Sequence, residues 1–202
     1  MTDPGPRQGA RGATRRSQLF DELVDLLLAE GFVHLTLDDL AARLHCSKRT
    51  LYGLAGSKEQ LVRAVVVHFF RRATERVEKA LAEQTTPSER LAAYLRAVAE
   101  VLSPASSAFF DDIAAFPPAA EIYERNTQAA ALRVGELVED GVAAGVFRPV
   151  HVAFVADLIS AALVRIQTRR VAAATGLADA EVYERLAELL LNGLIASVDG
   201  DR

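Results

Sequence analysis

Apolar residues along this chain recur at spacings of three and four, and almost nowhere at two. Between Thr14 and Glu30, Leu19, Phe20, Leu23, Val24, Leu26 and Leu27 fall on one side of a 3.6-residue repeat, which predicts a first helix. Gly31 follows, where helices commonly end in a left-handed residue. Thr36 and Asp39 then have the spacing of a capping box, with Asp in place of the usual Glu. They predict a short helix over 37–44 that turns Leu40, Ala41 and Leu44 one way. Ser47 can cap another short helix, 48–54. After Gly56, Ser57 and Gln60 open a long helix to Ala82. The strongest start signal is Thr86-Pro87-Ser88-Glu89, with a Thr cap, Pro at the first helical position and Glu at the third. It predicts a helix to Leu102. Further helices are expected at 108–115, 119–145, 151–174 and 179–198, separated by Pro117-Pro118, the Gly145–Pro149 turn and Gly176. No sustained alternation or Asn-Gly turn marks a strand. The expected fold is all-α with about nine helices.

The two short helices are joined by a three-residue turn, which is the layout of a helix-turn-helix. Such a motif places its second helix in the DNA major groove. On that helix Leu51 and Leu54 would pack inward, leaving Lys48, Arg49, Thr50, Tyr52 and Gly53 outward. Lys and Arg neutralise phosphate or reach guanine edges, Thr meets a base or a phosphate, and Tyr bonds phosphate. Gly53 lowers helix stability by roughly 1 kcal/mol relative to alanine, and close approach of backbone to DNA would be a reason for it. The plainer reading is a surface helix with ordinary basic residues. A phosphate-binding P-loop does not fit: Gly53 and Gly56 are too close together, Ser precedes Lys, and no strand leads in.

The stretch GFVHLTLDDLAARLHCSKRTLYGLAGSKEQLVRAV resembles the DNA-binding region of the tetracycline-repressor (TetR) family of transcriptional regulators. Gly31, Thr36, Leu40-Ala41, Ser47, Thr50-Leu51-Tyr52, Ser57-Lys58-Glu59 and Leu61 carry the likeness, which covers residues 14–64. Two positions depart from the family pattern. His45 stands where Gly is usual in the turn, and Leu54 where Phe is usual. The resemblance implies an N-terminal three-helix helix-turn-helix DNA-binding domain at 14–60, with its motif at 36–55. It also implies a helical regulatory and dimerisation domain at 61–202, linked by the helix 57–82. By the same resemblance Thr36 and Lys58 bind phosphate, Tyr52 contacts the backbone, and Lys48, Arg49 and Thr50 read bases.

Charge adds a mild asymmetry. The 202 residues carry a net charge of −4, while residues 1–80 hold 13 Lys+Arg against 10 Asp+Glu. A basic N-terminal part on an acidic body suggests an anionic partner for the first part. Residues 1–13 are rich in Pro and Gly and read as a disordered basic arm with Arg7 and Arg11. Arg15 and Arg16, where the first helix begins, are the better candidates for phosphate or minor-groove contact.

Other chemistry is not supported. The single Cys46 reads as a packing residue, and four histidines without zinc spacing give no metal site. There is no nucleophile elbow or kinase motif, so no catalytic residue and no cofactor is expected. No run of 18 apolar residues predicts a membrane span, and the N-terminus lacks the apolar core of an export signal. A cytoplasmic protein is expected.

For the second part, the resemblance implies a small-molecule effector and a dimer formed by the last two long helices. Candidate ligand contacts are Phe69, Tyr94, Phe109, Phe110, Phe116, Tyr123 and Phe154, with Asn126 and Asp157 among the polar groups. Each aromatic is also a candidate for plain core. Candidate dimer residues are Leu158, Ala162, Arg165, Leu186, Leu190, Gly193 and Leu194, with intrachain packing as the alternative. The function expected is a ligand-responsive regulator, most simply a repressor, binding a palindromic operator as a homodimer and released by a small apolar or amphipathic effector. The alternative is a helical small-molecule-binding or interaction protein that keeps the fold without reading DNA.

Overall fold

A computed structural model describes residues 7–195. These form ten α-helices: α1 Arg7–Glu30, α2 Leu37–Arg43, α3 Lys48–Tyr52, α4 Lys58–Ala82, α5 Pro87–Leu102, α6 Ser107–Ala115, α7 Pro117–Ala143, α8 Val152–Gln167, α9 Arg170–Thr175 and α10 Asp179–Leu194. The helical class is as the periodicity indicates. The count exceeds nine because the segment expected as one helix over 151–174 is two. Arg169 adopts a left-handed φ of 56° and divides α8 from α9. Helix α1 takes the chain from Arg7, so the expected disordered arm does not extend to residue 13. Residues 1–6, and the side chains of Arg7 and Arg11, lie outside the described residues. The end of the last helix expected at 198 lies outside them too.

The helix starts follow the caps. Thr36 and Thr86 each form a complete capping box, with Asp39 and Glu89 as reciprocal partners. Ser47 caps α3 by accepting from the Thr50 amide. Gly31 is left-handed at φ 78°, and so is His45 in the α2–α3 turn at φ 48°. Histidine tolerates that region better than most side chains, so the turn forms without glycine.

The chain divides into two compact units, Met1–Phe70 with Ala105–Ala119, and Arg71–Pro104 with Ala120–Arg202. The first unit therefore contains α1 to α3, the first half of α4, and α6. Its core includes Leu19, Leu23, Leu27, Leu28, Leu40, Leu51, Leu61 and Val65. On α1, Leu28 is buried and Leu26 only half-buried. Helix α6 packs against α1 through the buried Phe109, Phe110 and Ile113 side of the unit.

The second unit packs α10 on α5. Arg133 of α7 holds Glu78 of α4 with a two-bond fork, Nε to Oε1 at 3.1 Å and Nη2 to Oε2 at 3.0 Å. Arg148 ties the turn after α7 to the end of α10, its amide donating to the Leu194 carbonyl and its Nε to the Gly193 carbonyl. Phe147 is wholly buried there, with its ring against Gly141 in so close an approach that a Cβ at 141 would collide with it.

Candidate nucleic-acid interface

Helices α2 and α3 pack together across the His45 turn, and Leu40, Ala41 and Leu51 anchor them from the inside. Leu51 is 1% exposed, whereas Leu54, expected inward, is half-buried. Anchoring α3 by Leu51 turns Lys48, Arg49, Thr50 and Tyr52 to solvent, with Tyr52 52% exposed. Four neighbouring polar side chains thus share one short helix at the surface of the first unit. Thr50 is partly committed, since its hydroxyl lies 2.9 Å from that of Ser47. The Arg49 side chain makes no hydrogen bond or ion pair among the described residues.

Lys48 is not a free cation. Its Nζ lies 2.6 Å from Asp38 Oδ2 of α2, and that bond raises the lysine pKa. Both groups are exposed, so the pair contributes little to stability. The pair places an acid of α2 on the same surface as the first lysine of α3.

Thr36 donates its hydroxyl and its amide to Asp39 Oδ2, at 2.6 and 2.8 Å. Those bonds lower the Asp39 pKa. The expected phosphate contact through the Thr36 hydroxyl proton would compete with the cap. The first turn of α2 carries Asp38 and Asp39, and the Asp39 amide already donates to the Thr36 hydroxyl oxygen. Lys58 is half-buried and its Nζ donates to the Val33 carbonyl at 2.9 Å, with two ammonium protons left for a phosphate.

Arg15 and Arg16 are exposed, but they lie more than two turns inside α1 and not at its beginning as expected, because the helix starts at Arg7. Arg16 reaches the far end of α3, donating to the carbonyls of Gly53 and Leu54 at 3.5 and 3.4 Å, with its guanidinium 5.7 Å from the Phe20 ring centre. A cation there satisfies carbonyls left open at a helix C-terminus.

Gly53 has an ordinary helical φ of −70°. Its nearest neighbours to an added Cβ are the helix's own Thr50 and Arg49 carbonyls, at 3.2 and 3.5 Å. The fold therefore does not demand glycine there. Gly53→Ala should leave the melting midpoint unchanged or slightly raised, yet weaken DNA binding if backbone meets DNA at this point. Melting and an anisotropy titration on the same sample check both halves.

Cys46 is half-exposed and not the fully packed residue expected, and desolvation raises its pKa. That keeps it a thiol at neutral pH. No group of three His, Cys, Asp or Glu able to hold a metal occurs among the described residues.

The candidate ligand contacts are divided between the two units. Phe69, Phe109 and Phe110 cluster in the first, with centroids 6.3 Å apart for 69–109 and 5.7 Å for 109–110. Phe116 meets Phe32 edge-on at 6.0 Å. Tyr94 and Tyr123 are buried in the second unit, and burial pushes the Tyr94 hydroxyl up to about 12. Asn126 donates to the Ile122 carbonyl one turn back. Phe154 and Asp157 do not point into a core: Phe154 is 63% exposed and Asp157 is exposed, because α8 is anchored by Val155, Ile159, Leu163 and Ile166. They share that outward side with Leu158.

Of the candidate dimer residues, Leu158 is 54% exposed, Arg165 and Gly193 are exposed, and Ala162, Leu186 and Leu190 are half-buried. Leu194 is 4% exposed and belongs to the interior of its own chain, so it leaves the set. Leu189, 72% exposed, is the most outward leucine of α10.

Residues 19–65 match the family model of bacterial regulatory proteins, tetR family. No curated protein sequence matches the chain. Among solved structures it is similar to a putative transcriptional regulator from Saccharomonospora viridis in complex with choline. That pair is 16% identical, with a TM-score of 0.72 over 92% of this chain and 100% of that one. It is also similar to a TetR/AcrR-family regulator from Thermobifida fusca YX-ER1, at 24% identity and a TM-score of 0.64 over 89% and 98%. The ketosteroid transcriptional regulator KstR2 of Mycobacterium tuberculosis matches at 21% identity and a TM-score of 0.58 over 91% and 96%. No described helix is long and apolar enough to cross a membrane. Residues 19–65 are thus the part of the chain that matches the tetR family of bacterial regulatory proteins, and the helical fold is shared with the solved regulators above.

Proposed function

We propose that this chain is a ligand-responsive repressor that binds a palindromic DNA operator as a homodimer. The observation that carries the reading is the exposed face of α3, where Lys48, Arg49, Thr50 and Tyr52 project from a helix anchored by Leu51. Two cations, a hydroxyl and a phenol on one exposed helix side suit phosphates and base edges. In the proposed domain scheme, residues 14–60 read DNA and residues 61–202 sense and dimerise. Helix α4 joins them, since its first half lies in one compact unit and its second half in the other. A twofold dimer would set two α3 helices about 34–36 Å apart, one DNA turn.

The effector would be a small apolar or amphipathic molecule that prefers a different spacing of the two α3 helices. It would lower DNA affinity, and DNA would lower effector affinity by the same factor. The buried Tyr94 and Tyr123 of the second unit are the candidate contacts for it. The protein would act in the cytoplasm and catalyse no reaction.

Selection from a random-sequence duplex pool tests the DNA half. The expected product is a palindrome, bound with a log–log salt slope of about −0.9 per phosphate neutralised. A pool that yields no preferred sequence supports the alternative, a helical binding protein without sequence reading.

A further inference from the structure

Asp112 lies on α6, some 80 residues from the segment it touches. Its Oδ2 accepts from the Phe32 amide at 2.5 Å and the Val33 amide at 2.8 Å. Those amides are the first beyond the left-handed Gly31 that ends α1. The Val33 carbonyl in turn accepts from Lys58, the first residue of α4. One loop residue is thus held on its N–H by α6 and on its C=O by α4. Helix α6 is tied to the end of α1 as well, through the Ser106 amide and the Leu28 carbonyl at 2.8 Å. Gly31 serves this arrangement twice. Its φ favours glycine, and a Cβ there would lie 2.5 Å from Asp112 Oδ2.

We propose that Asp112 is a positioning residue for DNA binding: its carboxylate fixes the loop from Gly31 to Leu35 and with it the start of α2 and the pose of α3. The proposal rests on the DNA-binding reading above. The loop leads directly into Thr36, the N-cap of α2, and α3 packs on α2. An ionised acceptor holds two amides more firmly than a neutral one. Without it, two backbone donors next to the motif lose their partner and the loop gains freedom. The DNA-reading segment is on this account incomplete without α6, which reaches it from residues 105–119.

The test uses Asp112→Ala and Asp112→Asn in the full chain, with a duplex selected from a random pool by the unmodified protein and a scrambled duplex of equal length. Hydrogen exchange of the Phe32 and Val33 amides is followed beside the two affinities. With alanine the expected result is a loss of about tenfold or more on the selected duplex, little change on the scrambled one, and at least about tenfold faster exchange of both amides. Asparagine, which keeps an uncharged oxygen acceptor, should fall between, at about threefold on the selected duplex. Should alanine unfold the protein, the asparagine variant decides by itself. Unchanged affinity, or an equal loss on both duplexes, overturns the positioning role even where the amides exchange faster. An unmodified protein that selects no duplex overturns the DNA-binding reading, and this proposal with it.

Discussion

An Arg49→Ala, Tyr52→Ala double variant should lose about a hundredfold or more in affinity for a selected duplex while melting where the unmodified protein melts. Both side chains stand outside the core, and the anchor of their helix, Leu51, is untouched. Exposed substitutions of this kind change stability by no more than about 0.5 kcal/mol. A base-reading or phosphate-bonding side chain contributes about 1–3 kcal/mol to a specific complex. Two such losses together reach the hundredfold range. Removing Arg49 should also flatten the salt slope by about one unit if it neutralises a phosphate, and leave it unchanged if it reads a base. Anisotropy titrations at three salt concentrations separate the cases. Binding that survives the double substitution would place the DNA contacts on another surface.

The second large effect concerns assembly. Leu189→Glu should convert a dimer to a monomer in sedimentation velocity, and operator binding should weaken with it. Leu189 is 72% exposed in the single chain, and Phe154 and Leu158 on α8 are more than half exposed. Large apolar side chains standing out from helices of one unit mark a face that another surface covers. In a twofold interface each substitution occurs twice, so one glutamate per chain buries or repels two charges. Because dimerisation couples two half-sites, the monomer should lose most of its operator affinity with α3 unaltered. A variant that still sediments as a dimer would move the interface away from α10.

Local signals in the sequence proved reliable where one turn of chain contains its own explanation. The capping boxes at Thr36 and Thr86, the Ser47 cap and the left-handed Gly31 and His45 all depend on residues within a few positions. The α3 surface was legible for the same reason: fixing Leu51 inside fixes the directions of its neighbours. Contacts between distant segments were not. Nothing near Asp112 announces that it caps a loop 79 residues away, and nothing near Arg16 announces the carbonyls of Gly53 and Leu54. The charge of Arg16, which suggests phosphate or minor-groove contact, is visible in the sequence, and its partners within the chain are not. Helix α8 shows the limit differently. Its residues are apolar nearly all round, so the period does not say which side is inside, and Phe154 faces outward while Ile159 and Ile166 face in. The break at Arg169 carries no Gly or Pro, so it left no mark in the pattern.

The ion pair of Lys48 with Asp38 bears on how such a protein would travel along a chromosome. A phosphate anywhere on the duplex attracts a bare lysine, but here it must first displace a carboxylate already in contact. If α3 meets DNA as proposed, Asp38 would also bring its own negative charge toward every stretch of backbone the protein visits. Under the proposed function, a site that offers Lys48 a better partner, a guanine edge for example, would favour the exchange. Short residence on the wrong sequence would then be set by one acid on α2, and removing it would slow the search even as it tightened the grip.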